Sequence, residues 1–315
     1  MYSSVNRIRL SNVLARWILK CCRDDLNASG IRGDRWRVIV IKDILVTLPA
    51  GNTPSFAVDY AVTVARTFNA HLTGIAFVQD VASAGALFDW ALAIVLDDYR
   101  REVEAAAEAA KARFEETCQR EGLSAESMIL NAGAASLPEL LARTARRFDL
   151  TILPQADPED ERSEEVIVEA ALLGSGRPIL LVPYFMEGAV KFDRILVCWD
   201  GSHNAARAIA DAMPFLRRAK QVEVVTVATD GRANDSTAGL CIAHHLARHD
   251  VIVEVRNIAA HGQDVSLRIR SHAAQHSANL IVMGGYGHSR LREFVLGGAT
   301  RDILESTVAP TLMSH

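Results

Sequence analysis

The amino-acid sequence contains the same series of segments twice, and this internal repeat restricts the possible folds more than any other feature. Three segments of the first half recur in the second half in the same order: KDILVTLPAG (42–51) as DRILVCWDGS (193–202), FDLTILPQ (148–155) as ANLIVMGG (278–285), and GRPILLVP (176–183) as VAPTLMSH (308–315). Three matched segments in one order predict two copies of a single domain.

The 315 residues suit two domains of about 100–200 residues each. The copies meet near Tyr184–Lys191, which predicts a first domain over residues 39–187 and a second over residues 188–315. Residues 1–38 stand apart, with apolar residues at helical spacing between several arginines and one lysine. We interpret them as a packing appendage or as sequence upstream of the true start. The alternative is a short helix that binds a membrane surface or a partner.

Each copy alternates short apolar runs with amphipathic segments. The second copy has the runs RILVCW, QVEVVTVA, DVIVEVRN, NLIVMG and PTLMS. Helices are predicted between them over residues 205–218, 238–248 and 265–277, and the first copy adds a long helix over about residues 87–120. Apolar strands separated by helices predict right-handed βαβ units. The fold class is therefore α/β, with two tandem open parallel sheets of Rossmann-like type and helices on both faces.

Composition excludes several classes of protein. A net charge of -4 and a pI near 6.2 give no reason to expect binding to nucleic acid or to an anionic membrane. No apolar run reaches the ~18 residues of a membrane span. The five cysteines form no CxxC pair, so neither a disulfide framework nor a cysteine zinc site is indicated. A reducing cytoplasm is the expected location.

Glycines are concentrated directly after the fourth strand of the second copy: Gly284, Gly285, Gly287, Gly297 and Gly298. Such a cluster indicates that the backbone turns tightly or approaches another group closely. In open parallel sheets, ligands bind at the carboxyl ends of the strands where the strand order reverses. The first strand of this copy ends at Asp200 and the fourth runs into Gly284, so we expect these two ends to be neighbours.

These residues resemble the universal stress protein family in its tandem form, and the resemblance extends from about Lys42 to His315. Nucleotide-binding members carry G-x2-G-x9-G-[ST] after strand four. This sequence matches the three glycines and has glycine at the Ser/Thr position. The resemblance implies an adenine nucleotide, ATP or AMP, bound by the following residues: Asp200 on the adenosine side, Val227 against the adenine, Gly284, Gly287, Gly297 and Gly298 in the motif, and Thr300 behind it.

The chemistry of this motif depends mainly on the backbone. Gly284 and Gly287 would bring main-chain N–H groups near a phosphate, and Gly297 and Gly298 would open a helix whose positive end attracts anions. Asp200 could accept hydrogen bonds from a ribose hydroxyl. A missing Ser/Thr hydroxyl costs about 1.5–3 kcal/mol when its partner is charged. The main-chain donors remain, so the sequence predicts weakened rather than abolished binding.

The first copy lacks these features. Its first strand ends in Leu48 and Pro49, with no acid, and Pro154, Asp157 and Glu159 stand where the second copy has its glycine loop. Acidic side chains at that place would repel phosphate. We therefore expect the first copy to be a degenerate half that supports the second.

Two pairs of histidines have the i, i+4 spacing that puts both rings on one helix face: His245 with His249, and His272 with His276. This spacing can bind zinc, but no glutamate follows the first histidine as in H-E-x-x-H, and the sequence shows no third ligand. We interpret both pairs as parts of solvated helix faces and expect no metal.

The resulting hypothesis is a universal stress protein of the cytoplasm that acts in the stress response through protein partners rather than by turnover. The last strand of each copy, ILLVP and TLMS, is a candidate sheet edge. The resemblance implies that these edges join the two copies as a pseudo-dimer, and a homodimer of chains is left open.

An ATP-hydrolysing or nucleotidyl-transferring enzyme is the alternative, disfavoured because no Walker lysine and no metal-binding acid accompany the glycine loop. A structural interaction module with an empty pocket is a third hypothesis.

Overall fold

A computed structural model describes most of the chain: residues 40–49, 55–78, 90–132, 136–156, 163–185, 190–228, 236–260, 264–285 and 299–315. The extension predicted over residues 1–38 lies outside the described residues. Within the described ranges, none of the helices is both long enough and apolar enough to cross a membrane.

Both halves alternate strands with helices. The first half runs β1 (Asp43–Thr47), α1 (Phe56–Phe68), β2 (His71–Val78), α2 (Trp90–Arg120), β3 (Ala125–Asn131), α3 (Leu137–Ala145), β4 (Leu150–Pro154), α4 (Ser163–Gly174) and β5 (Ile179–Val182). The second half runs β6 (Arg194–Cys198), α5 (His203–Leu216), β7 (Gln221–Ala228), α6 (Ser236–Ala247), β8 (Val253–Ala259), α7 (Val265–Gln275), β9 (Leu280–Gly284), α8 (Ala299–Glu305) and β10 (Thr311–Ser314). The strands and helices predicted from the sequence are thus confirmed, with ends that shift by a few residues.

The sheet is continuous through both halves, in the order β3-β2-β1-β4-β5-β10-β9-β6-β7-β8. In each half the chain moves outward from the first strand to the second and third, and then returns to the other side of the first strand. The strand order therefore reverses between β1 and β4 and again between β6 and β9. All neighbouring strands are parallel except β5 and β10, which pair antiparallel with Leu180 opposite Leu312. This pairing gives hydrogen-bond partners to the backbone groups of the last strand of each half.

Equivalent serines begin the first helix of each half. The Oγ of Ser55 accepts from the N–H of Val58 at 3.4 Å, and the Oγ of Ser202 accepts from the N–H of Ala205 at 3.1 Å. Each cap satisfies a backbone donor that the helix itself leaves without a partner, and such a cap contributes about 1 kcal/mol. A serine cap thus begins the first helix of both halves.

An aromatic cluster packs α1 against α5 and so joins the two halves on one face of the sheet. The rings of Phe68 and Phe215 lie 4.8 Å apart, and Phe192 lies 5.2 Å from Phe215 and 5.7 Å from Tyr60. The Phe68–Phe215 and Tyr60–Phe192 pairs are edge-to-face, and pairs of this kind contribute about 0.5–1.5 kcal/mol beyond the burial of their area. The contact between the halves therefore extends from the paired strands into the helical layer.

Candidate functional site

The turn between β6 and α5 holds an acidic side chain at the carboxyl edge of the sheet. Gly201 has a φ of +79°, in the left-handed region that favours glycine. Asp200 is exposed, and its Oδ1 accepts from the N–H of Ser202 at 2.9 Å. Because Ser202 also caps α5, the same turn fixes both the helix start and the orientation of the carboxylate.

Asp200 and Gly284 lie at the same end of neighbouring strands, as expected from the sequence. β6 and β9 are parallel, with Val197 in register with Val282. Gly284 follows Val282 by two residues and Asp200 follows Val197 by three. Both residues therefore lie at the carboxyl edge, where the strand order of the second half reverses.

Val227 joins this edge from the other side of β6. Cys198, the last residue of β6, is in register with Val225 of β7. Asp200 lies two residues beyond Cys198, and Val227 lies two residues beyond Val225, so both are at the same height of the sheet. Val227 is half-buried and packs against the apolar cluster between the sheet and α7.

The other residues predicted for the nucleotide site lie in α8 or outside the described residues. Thr300 lies in the first turn of α8 and is only 4% exposed. Five residues of the predicted loops lie outside the described residues: Asp157, Glu159, Gly287, Gly297 and Gly298. Three of the predicted binding residues, Asp200, Val227 and Gly284, are therefore brought together at one edge.

Gly284 is also required for packing. A Cβ atom at this position would lie 2.5 Å from the backbone nitrogen of Ala205 and 2.7 Å from the carbonyl carbon of Asn204. The start of α5 thus leaves no room for a side chain on the end of β9. The buried Asn204 donates from Nδ2 to the carbonyl oxygen of Gly285, which binds the helix start to the segment after the strand.

The equivalent place in the first half is built from other residues. Gln155 and Gly285 are equivalent, because their N–H groups donate to the neighbouring strands β5 and β10 at 2.7 and 2.8 Å. Pro154 is therefore the counterpart of Gly284. Proline carries a Cβ atom, which a helix start as close as that of α5 would leave no room for. The two halves share a topology but differ at this edge.

The two residues before Asp200 face apolar surroundings. Burial and the nearby charge of Asp200 raise the pKa of the Cys198 thiol to about 12. A thiol with that pKa is protonated at neutral pH and is a poor nucleophile. The indole of Trp199 packs against the larger apolar core.

The two histidine pairs differ in their surroundings. On α6, His245 is exposed and its ring lies 4.8 Å from that of His249. The pair on α7 has ring centroids 4.2 Å apart, but His272 is only 6% exposed. The expectation that both pairs lie on solvated faces is therefore wrong for His272, because the side of α7 that carries it packs against the sheet.

A buried glutamate of β7 is the partner of His272. Oε2 of Glu223 lies 3.1 Å from Nε2 of His272, and Oε1 accepts from the guanidinium of Arg256. Burial acts to raise the pKa of the Glu223 carboxyl, but the hydrogen bonds and charges of His272 and Arg256 outweigh it and hold that pKa below its usual value. Glu223 is therefore ionised at neutral pH. His276, exposed on the next turn, completes a group of three ligating side chains.

Comparisons with known proteins give relatives for the second half and for the fold. The sequence model of the Universal stress protein family matches residues 191–315. A universal stress protein from Synechocystis sp. is 27% identical over 138 residues, which cover 43% of this chain and 46% of that relative. A universal stress protein structure from Archaeoglobus fulgidus covers 86% of this chain and 95% of its own, with 14% identity and a TM-score of 0.63. A protein of unknown function from Pseudomonas aeruginosa PAO1 covers 87% of this chain and 92% of its own, with 14% identity and a TM-score of 0.55.

Proposed function

We propose, from the match of residues 191–315 to the sequence model of the Universal stress protein family, that the second half binds an adenine nucleotide, ATP or AMP. The proposed site is the carboxyl edge between β6 and β9. The protein would act in the stress response through partners, without turnover of the nucleotide.

One observation carries the proposal: Asp200 and Gly284 stand at the ends of adjacent parallel strands where the strand order reverses. This is the place at which open α/β sheets bind their ligands. Asp200 is exposed and oriented by the N–H of Ser202, so its carboxylate is available to a ribose hydroxyl. Val227, partly exposed at the same height, offers an apolar surface to the base.

The proposal is one of binding without catalysis. Asp200 supplies an exposed carboxylate to the edge, and its neighbour Cys198 is a protonated thiol at neutral pH. If the site instead hydrolysed ATP, purified protein would release phosphate, and Asp200→Ala would abolish the release.

Titration of the full chain with ATP, ADP and AMP tests the proposal by calorimetry. We expect binding by the wild type and about tenfold to hundredfold weaker binding by Asp200→Asn, since a lost hydrogen bond to a charged group costs about 1.5–3 kcal/mol. Gly298→Ser, which restores the family's hydroxyl, should tighten binding by a similar factor. Asp193→Asn is the charge-matched control, because Asp193 precedes the same strand at the opposite edge of the sheet.

The interaction module without nucleotide is the second candidate, and the packing of Gly284 favours it. The close approach of Ala205 explains this glycine without any ligand. Under this alternative the wild type binds none of the three nucleotides. If Gly298→Ser then creates binding, the pocket is vestigial in the natural protein, and if it does not, the nucleotide proposal fails altogether.

A further inference from the structure

The structure assigns a second site to the opposite edge of the same half: we propose that Glu223, His272 and His276 bind a divalent transition-metal ion, with Zn²⁺ as the preferred ion. One carboxylate oxygen and one nitrogen of each imidazole lie within 4.8 Å of one another. Among the described residues, no other set of three or more His, Cys, Asp or Glu side chains comes together in this way.

The geometry of the cluster is close to that of a zinc site. Two ligands of a tetrahedral zinc ion, each about 2.1 Å from the metal, are about 3.4 Å apart. Nε2 of His272 and Oε2 of Glu223 are 3.1 Å apart. Since an ionised carboxylate can only accept, the proton of this contact lies on Nε2. A metal ion would take the place of that proton between the two atoms.

The backbone holds the third ligand close to the second. The N–H of His276 donates to the carbonyl oxygen of His272 at 3.0 Å, which continues the helical spacing to the end of α7. The guanidinium of Arg194 donates to the carbonyl oxygen of His276. Only side-chain rotation of the exposed His276 is then needed to bring its ring onto an ion held by the other two.

The cluster has an entry path and an open position. Glu223 and His276 line a surface cavity of about 280 Å³, together with the polar side chains of Arg194, Gln221 and Gln275. The cavity has room for water molecules, one of which would complete four-coordination. Two imidazoles, one carboxylate and one water form a set that zinc uses in known proteins.

The charges around the cluster orient the carboxylate without excluding a cation. Arg256 occupies Oε1 of Glu223 and leaves Oε2 directed at His272. Such partners of a ligand fix its orientation at metal sites. Glu254, in register beside Glu223 on β8, adds a negative charge that offsets the charge of Arg256. Imidazole ligands favour Zn²⁺ over Mg²⁺ or Ca²⁺, which prefer oxygen.

The test uses the full chain without a histidine tag, freed of metal with a chelator and titrated with Zn²⁺ against a chromogenic chelator. His276→Asn is the informative variant because this side chain is exposed and the core does not depend on it. His245→Asn/His249→Asn is the matched control, since this pair has the same helical spacing and the part of the chain that the structure describes brings no third ligand to it. Glu223→Gln is a second variant that keeps the shape of the side chain.

We expect one equivalent of Zn²⁺ to bind the wild type and the α6 control alike. His276→Asn should bind at least about tenfold more weakly, as loss of even an outer partner costs 10–100-fold in metal affinity. Co²⁺ should give visible absorption bands in the wild type that His276→Asn lacks, and Mg²⁺ should not compete. Equal Zn²⁺ affinity of wild type and His276→Asn, no stoichiometric binding by the wild type, or loss of binding in the α6 control would each overturn the proposal.

Discussion

Gln155 of the first half donates from Nε2 to the carbonyl oxygen of Leu304 in the second half, at 3.3 Å and in a buried position. Leu304 lies in the last turn of α8, where helical carbonyl groups have no partner within the helix. A side chain at the end of β4 thus satisfies a helix end 149 positions later in the chain. Like the pairing of β5 with β10, this contact joins the first half to the second.

This contact predicts that Gln155→Ala lowers the free energy of unfolding by about 1–3 kcal/mol, because a buried acceptor loses its donor. Denaturant unfolding of the full chain measures the change. Gln221→Ala is the control: Gln221 is exposed, and its replacement should change stability by less than about 0.5 kcal/mol. Equal effects of the two substitutions would show that the bond to Leu304 contributes nothing.

The close approach at Gly284 predicts a difference between two adjacent glycines. Gly284→Ala should lower the free energy of unfolding by about 1–3 kcal/mol, because the new methyl group meets the rigid backbone of Ala205 and Asn204. Gly285→Ala should cost less, since its methyl group meets the flexible end of the Leu172 side chain at 2.7 Å. Thermal unfolding of the two variants checks the order, and a larger loss for Gly285→Ala would contradict it.

The repeat made most of the fold predictable. Each strand of the second half was marked by an apolar run, and the run QVEVVTVA coincides with β7. The parallel order followed from the helices between the runs, and the position of Asp200 beside the end of β9 followed from the order. Local sequence patterns suffice for these features because strands and helices are specified by residues that are near one another in the chain.

The cluster on β7 and α7 could not be predicted in the same way. Glu223 and His272 are separated by 49 positions, and their contact depends on how α7 packs on the sheet. A signal was present in the sequence: Glu223 is a charged residue inside an apolar strand, flanked by Val222 and Val224. Such a residue must find a partner when it is buried, but the strand itself does not identify that partner.

Burial predicts which of the described cysteines reacts with a thiol reagent in the native protein. Burial raises the pKa of the Cys118 thiol to about 11, and burial with the charge of Asp200 raises that of Cys198 to about 12. Both therefore remain protonated thiols at neutral pH, whereas Cys241 is exposed. Iodoacetamide labelling followed by peptide mass spectrometry should show Cys241 modified first, and labelling of all three at one rate would refute this order. In denaturant the three should react alike.

The contacts of Glu223 with His272 and Arg256 predict how much stability is lost when only the glutamate is replaced. Glu223→Ala should lower the free energy of unfolding by about 1–3 kcal/mol, because a buried hydrogen-bonding group is removed. The loss should stay below the 3–5 kcal/mol typical of broken buried ion pairs, since the side chain of Arg256 is 29% exposed and reaches water. Asp193→Ala, which breaks the exposed pair with Lys220, is the control and should cost about 1 kcal/mol or less. Denaturant unfolding in the presence of a chelator compares the two variants. If Glu223→Ala costs no more than Asp193→Ala, the carboxylate does not stabilise the packing of α7 on β7.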